Sequence, residues 1–263
     1  MIERQHRWGK GLDAGGWRWN NSNHKPLNTY DLLKAIAIVT MIIDHVGMFF
    51  LPQVEAFRAI GRMSMPLFLF LVGYSQKYVV TYELLLWGAI ITIYKHFIGL
   101  ASFEANILVT IFLVRVMFGF LQGRELLQNS RDAIMVFCLI ISVPSMLLFE
   151  YGSLAFMFAI LGYCVKQGLK NNQFYVMVIL VILFNYLLQS YISDSNDLSY
   201  YLVFSLVSII CAYLLLTFRL EDLNIKSQSV SLIIKWLSTN ALTIYIIHFI
   251  AFSALSRLFL GEY

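Results

Sequence analysis

Charge is scarce in this sequence. Asp, Glu, Lys and Arg make up 13% of its 263 residues, against about 25% in an ordinary soluble domain. That shortage excludes a typical soluble enzyme, a disordered chain and a nucleic-acid binder. With only 4 prolines and 15 glycines, collagen-like and linker-like chains are excluded as well. The 3 cysteines, Cys138, Cys164 and Cys211, lie inside apolar runs without metal or redox spacing. They read as small hydrophobes. No internal repeat is visible, so the inverted-repeat signature of many transporters is missing.

What is present is apolar: 59% of the residues are hydrophobic. Residues 1–30 form a polar, basic segment with Trp8, Trp17 and Trp19. It lacks the apolar stretch and cleavage site of a secretion signal. Apolar runs then follow over residues 32–52, 56–75, 79–97, 106–123, 132–149, 152–166, 173–190, 198–217 and 238–260. A spanning helix needs ~20 such residues. The expectation is an all-α, polytopic integral membrane bundle of about nine transmembrane helices. It fills residues 31–263 behind the N-terminal segment 1–30. The stretch Val230–Leu237 reads as interfacial.

Basic and acidic connections nearly alternate. Arg124 and Arg131 follow the fourth run, Lys166 and Lys170 the sixth, and Arg219 the eighth, while Glu150 follows the fifth and Asp194 and Asp197 the seventh. Lys95 is the main exception. Retention of positive charge inside predicts a cytoplasmic N-terminus, an external C-terminus and an odd number of spans. The net charge of +4 is read as part of that pattern.

Ionisable groups at membrane depth are costly and functional by default. Five stand out: Asp44, His45, Arg62, Arg115 and His248. His45 falls about 10 Å below the external end of the first span and Arg62 about 9 Å below the same surface on the second. The two spans are joined by a short turn at Pro52, so they pack as a hairpin with these groups at one depth. Either Asp44 pairs with Arg62 while His45 faces a cavity, or all three form a structural clamp. Gly61 permits close helix approach, and Pro66 predicts a kink beside Arg62. Arg115, in the middle of its run, meets either a carboxylate or a ligand phosphate. Asn240, Tyr245 and His248 share the last helix. His45 has no second ligand at helical spacing, so no metal is expected.

The Asp-His of the first span (Asp44, His45) is followed by Gly-Arg…Pro-x-Phe in the second (Gly61, Arg62, Pro66, Phe68). Together they resemble the TraX family of membrane acetyltransferases, whose type member acetylates a conjugative pilin. The ending STNALTIYIIHFI is similar to the final helix of the wider membrane acyltransferases. The resemblance is specific over about residues 30–78, weaker over 236–250 and hydropathic between.

It implies a multi-pass protein of the bacterial inner membrane. Acetyl would move from cytoplasmic acetyl-CoA to an acceptor at the outer side, either a pilin N-terminal amine or a surface glycan. His45, Asp44 and Arg62 are the catalytic candidates, with His45 as general base. Arg115, His248, Asn240 and Tyr245 are candidates for binding the donor. Arg124, Arg131, Lys166, Lys170 and Arg219 are candidates for its phosphates. Membrane lipid and the acceptor are the expected partners, and nucleic acid is not. A transporter and a non-catalytic pilus-assembly component are the competing readings.

Overall fold

The computed structural model describes residues 26–76, 81–100, 104–122, 131–169, 172–192 and 198–261. Helices make up most of it, and strand-like pairing among the described residues is confined to two isolated bridges, Asn28 with Asp222 and Ala105 with Phe149. In chain order the helices are α1 (Thr29–Phe50), α2 (Glu55–Gly61), α3 (Ser64–Ser75), α4 (Tyr82–Phe97), α5 (Ile107–Gln122) and α6 (Arg131–Ile140). They continue with α7 (Ser142–Leu148), α8 (Gly152–Gln167), α9 (Asn172–Ile192), α10 (Leu198–Leu216), α11 (Gln228–Thr239) and α12 (Ala241–Leu260).

Each apolar run of the sequence coincides with one helix or a broken pair. By length and hydropathy, three of the described helical segments can cross a membrane: Thr29–Phe50, Glu55–Ser75 and Ala241–Phe259. The stretches Ile107–Leu121, Gly152–Gln167, Gln173–Leu188 and Tyr201–Leu216 are apolar but shorter, so the expected count of about nine crossings is not established. Apolar side chains on the bundle's outside, such as Phe97, Tyr213 and Leu258, are largely exposed. A wide apolar exterior is what lipid contact requires.

Local chemistry sets the helix ends. Asn28 caps α1, its side chain accepting from the Asp31 N–H at 3.0 Å, which satisfies one orphan donor of the first turn. The second span breaks between Gly61 and Ser64. Pro66 brings no N–H there and is tolerated because it lies in the first turn of α3. The Met63 N–H turns back to the Ile60 carbonyl at 3.1 Å, so the expected kink is a tightened turn beside Arg62.

The core centres on α3 against α8, the most extensive helix–helix contact. Gly73 and Gly162 face the partner backbones, and a Cβ on either would collide with the carbonyl of Ala159 or Phe70 respectively. Helix α8, the shortest of the apolar runs, is buried from Gly152 to Val165. A helix apolar all round belongs inside a bundle. A second apolar cluster joins α1, α4, α5 and α12 around Ile38, Phe49, Ile91, Leu108 and Phe249.

The amphipathic α11 presents Leu232, Ile233 and Trp236 outward and docks on α1. Lys235 Nζ lies 2.7 Å from Asp31 Oδ2, and Ser238 Oγ donates to Asp31 Oδ1 at 2.9 Å.

Candidate active site

His45 is buried on the inward face of α1. Its Nδ1 lies 2.6 Å from Nε2 of His248 on α12. The ring of His45 is walled by Phe49, Tyr245 and Phe249, with centroids 6.2, 5.9 and 5.3 Å away. His248, a candidate for binding the donor, has the candidate base as its direct partner, and its own Nδ1 reaches back to the Ile244 carbonyl.

The ion pair of Asp44 also differs from expectation. Asp44 Oδ2 meets Nη1 of Arg58, one turn before Arg62, at 2.9 Å. The Arg62 guanidinium lies over the rings of Tyr151 and Phe204, at 5.5 and 5.0 Å from their centroids. Residue counting through the short turn puts α2 at the depth of Asp44 but leaves its rotation open. On a helix a shift of four residues turns the side chain by only ~40°. Arg58 and Arg62 thus share one side of the span, and Arg58 has the reach to the carboxylate. Gly61 backs directly onto Asp44: a Cβ there would strike the Asp44 Cα, Cβ and Oδ1. Asp44 Oδ1 is buried and accepts no hydrogen bond from the described residues.

Three residues of the site escaped the sequence reading. Asn106 is fully buried and donates from Nδ2 to the Tyr245 hydroxyl at 2.7 Å, while its Oδ1 accepts from the Leu108 N–H at 3.0 Å. Glu150 accepts from the Ile107 N–H at 2.8 Å and lies 3.9 Å from Lys95 Nζ. Tyr151, at the start of α8, has a left-handed backbone with φ 67°, strained for a residue with a Cβ. A polar residue just before an apolar helical run is an N-terminal signal, and it was legible at Asn106. Glu150 offered only the look of a loop acid. In the connector before α5, burial and the nearby Glu150 push the Glu104 carboxyl above its ordinary range.

Two cavities meet at these residues. The first, of about 250 Å³, runs from Tyr30, Lys34, Ser75 and Thr239 past Arg115 to Asp44 and His45. Lys34 and His45 are about 16 Å apart along α1, taking ~1.5 Å per residue. The second, of about 150 Å³, lies at the opposite end among Arg58, Arg62, Lys95 and Glu104. Asp44, His45, Glu150, Tyr151 and Tyr245 line both.

The remaining donor candidates scatter. Arg115 lines the first cavity, and its Nε is buried without a hydrogen bond to the described residues. Asn240 is spent on the α11–α12 junction, donating to the Trp236 carbonyl at 2.8 Å. Lys166 lies with Nζ 5.0 Å from the Tyr74 ring centroid, and Arg219 is exposed. Arg124 and Lys170 fall outside the described residues, and of Arg131 only the backbone, opening α6, is described. Among the described residues, no three His, Cys, Asp or Glu side chains cluster to hold a metal.

The sequence profile of the TraX protein family matches residues 29–256. The chain belongs to the TraX family. That membership points to a membrane role related to conjugative pili. A relative from Rickettsia prowazekii (strain Madrid E), described as an uncharacterized protein, is 28% identical over 239 residues, covering 85% of this chain and 90% of its own length. No solved structure matches. The family match spans α1 to α12, so it takes in both His45 and His248.

Proposed function

We propose that this TraX protein is an integral membrane acetyltransferase. It takes acetyl from acetyl-CoA on the cytoplasmic side and delivers it to an acceptor arriving from the outer side. The observation that carries this reading is the meeting of two cavities, one from each end of the bundle, at His45. One substrate can approach through each. Loop charge supports a cytoplasmic position for the Lys34 end. Acetyl-CoA carries phosphates that cross a bilayer only at high cost, so its nucleotide stays at that face. The mostly apolar wall made by Met65, Phe68, Leu71 and Val72 suits its thin pantetheine arm.

In this reading His45 removes the proton of the attacking amine or hydroxyl. Arg115 and Lys34 meet the anionic part of the donor, and Asp44 Oδ1 orients the acceptor. Family membership favours a pilin N-terminal amine; a surface glycan is the alternative acceptor.

Purified protein in nanodiscs, given radiolabelled acetyl-CoA with a pilin peptide or a glycan, tests the proposal. The expected result is label on one acceptor. It should be lost by a factor of about 10²–10⁴ in His45→Ala, with donor binding kept. A transporter or an assembly scaffold would bind no acetyl-CoA and transfer no label, and that outcome rejects the reading.

A further inference from the structure

The hydrogen bonds around His248 define the protonation of His45. A carbonyl oxygen can only accept, so the contact between His248 Nδ1 and the Ile244 carbonyl puts a proton on Nδ1. In the neutral ring, Nε2 of His248 is then bare and can only accept. The partner 2.6 Å away is Nδ1 of His45, which must therefore carry the proton between them. A neutral His45 protonated at Nδ1 has a bare Nε2. We propose that His248 is a positioning residue: it holds His45 in the Nδ1–H tautomer and so keeps Nε2 as the basic atom. This rests on the reading of His45 as the base of an acyl transfer.

Two further observations fit. The partner of a base in this position is commonly a carboxylate, but Asp44 is engaged elsewhere. Its Oδ2 pairs with Arg58 and its Oδ1 receives no hydrogen bond from the described residues. The aromatic walls also fix both rings: Phe252 stands edge-on to His248 at 5.6 Å, and Phe249 to His45 at 5.3 Å.

The proton count closes. The acceptor's nitrogen or oxygen attacks the thioester carbon and gives its proton to His45 Nε2. The C–S bond then breaks, and the same proton passes from Nε2 to the leaving thiolate. The products are the acetylated acceptor and the free thiol, with His45 back in its starting tautomer. While His45 is charged, its Nδ1–H remains bonded to His248 Nε2, which stabilises the imidazolium. A bare Nε2 is needed at the start, and the opposite tautomer would present an N–H to the acceptor and take no proton.

The test uses the full chain in nanodiscs with [15N]histidine, the His45 signals being assigned by their loss in His45→Gln. A pyrrole-type Nδ1 and a pyridine-type Nε2 at His45 are expected. An Nε2–H at His45 overturns the proposal.

In the transfer assay, His248→Leu should lower kcat about 10²-fold or more with little change in the KM for acetyl-CoA. His248→Gln, whose amide oxygen can still accept from His45 Nδ1–H, should retain clearly more turnover. Equal loss in both variants, or none in His248→Leu, also overturns it. The spectrum of the wild-type protein decides the tautomer even where the leucine variant does not fold. Failure of the acetyltransferase reading shows as a bare Nε2 without turnover. Failure of the present proposal shows as an Nε2–H whether or not there is turnover.

Discussion

Gly61 and Asp44 meet with no room for a side chain between them. A Cβ on Gly61 would fall on the Cα, Cβ and Oδ1 of Asp44. Close approach of backbones through a glycine is a usual device of membrane helices, but here the surface it reaches is a buried carboxylate. The contact fixes the spacing of α1 and α2, and with it the reach of Arg58 to Asp44.

Replacing Gly61 by Ala is therefore expected to do more than crowd the hairpin. Overpacking of this kind costs about 1–3 kcal/mol. The backbone of Asp44 cannot yield as a flexible side chain would, so α1 must shift and carry His45 with it. Thermal unfolding in detergent should show the lower stability. Transfer activity should fall further than the folded fraction does. Activity per folded molecule equal to that of the wild type would show that the contact only packs.

The Asp44–Arg58 pair makes a second prediction. Stripping a buried carboxylate of its cation costs roughly 3–5 kcal/mol, whereas neutralising both partners costs far less. Arg58→Gln should be strongly destabilising, and Asp44→Asn in the same chain should recover much of the loss. The same cycle with Arg62→Gln should show weaker coupling, because that guanidinium lies over the rings of Tyr151 and Phe204. Equal coupling in the two cycles would mean that Asp44 shares its charge between both arginines.

The sequence made the long helices legible because apolar periodicity reports burial or lipid contact directly. It also brought α2 to the depth of Asp44, since a short turn leaves little choice. It did not separate Arg58 from Arg62, because hairpin depth is set by counting residues and helix phase is not. The His45–His248 contact was out of reach for another reason. The two residues are 203 positions apart, and no local signal says which helix closes the bundle beside α1. The burial of α8 was hidden by its shortness: its run, 152–166, is the shortest of the nine, although packing buries it from Gly152 to Val165.

Glu104 gives a prediction in pH. Its folded-state value is raised by burial and by Glu150, so the folded form binds the proton more tightly than the unfolded one. The contribution of this group to stability is fully present below its unfolded value and is lost as pH rises through the folded value. Glu104→Gln removes that loss. The variant should match the wild type near pH 4 and unfold at a higher temperature at pH 8. A wild type as stable as the variant at pH 8 would show that Lys95 and Arg62, which act on Glu104 in the opposite sense, fully offset the penalty.

The last prediction concerns the end of the first cavity nearest the start of α1. Lys34 and Arg115 both line it, and the Arg115 Nε is buried without a hydrogen bond to the described residues. Neither Arg219, which is exposed, nor Lys166, which sits against Tyr74, lines that cavity. A charge-assisted hydrogen bond to an anion contributes about 1.5–3 kcal/mol. Arg115→Gln should accordingly weaken acetyl-CoA binding roughly ten- to a hundredfold, with turnover at saturating donor nearly kept. Arg219→Gln should leave both quantities unchanged. Titration of each variant with acetyl-CoA separates the cases. If Arg219→Gln weakens donor binding while Arg115→Gln does not, the donor is held at the surface, and the cavity beneath His45 serves another purpose.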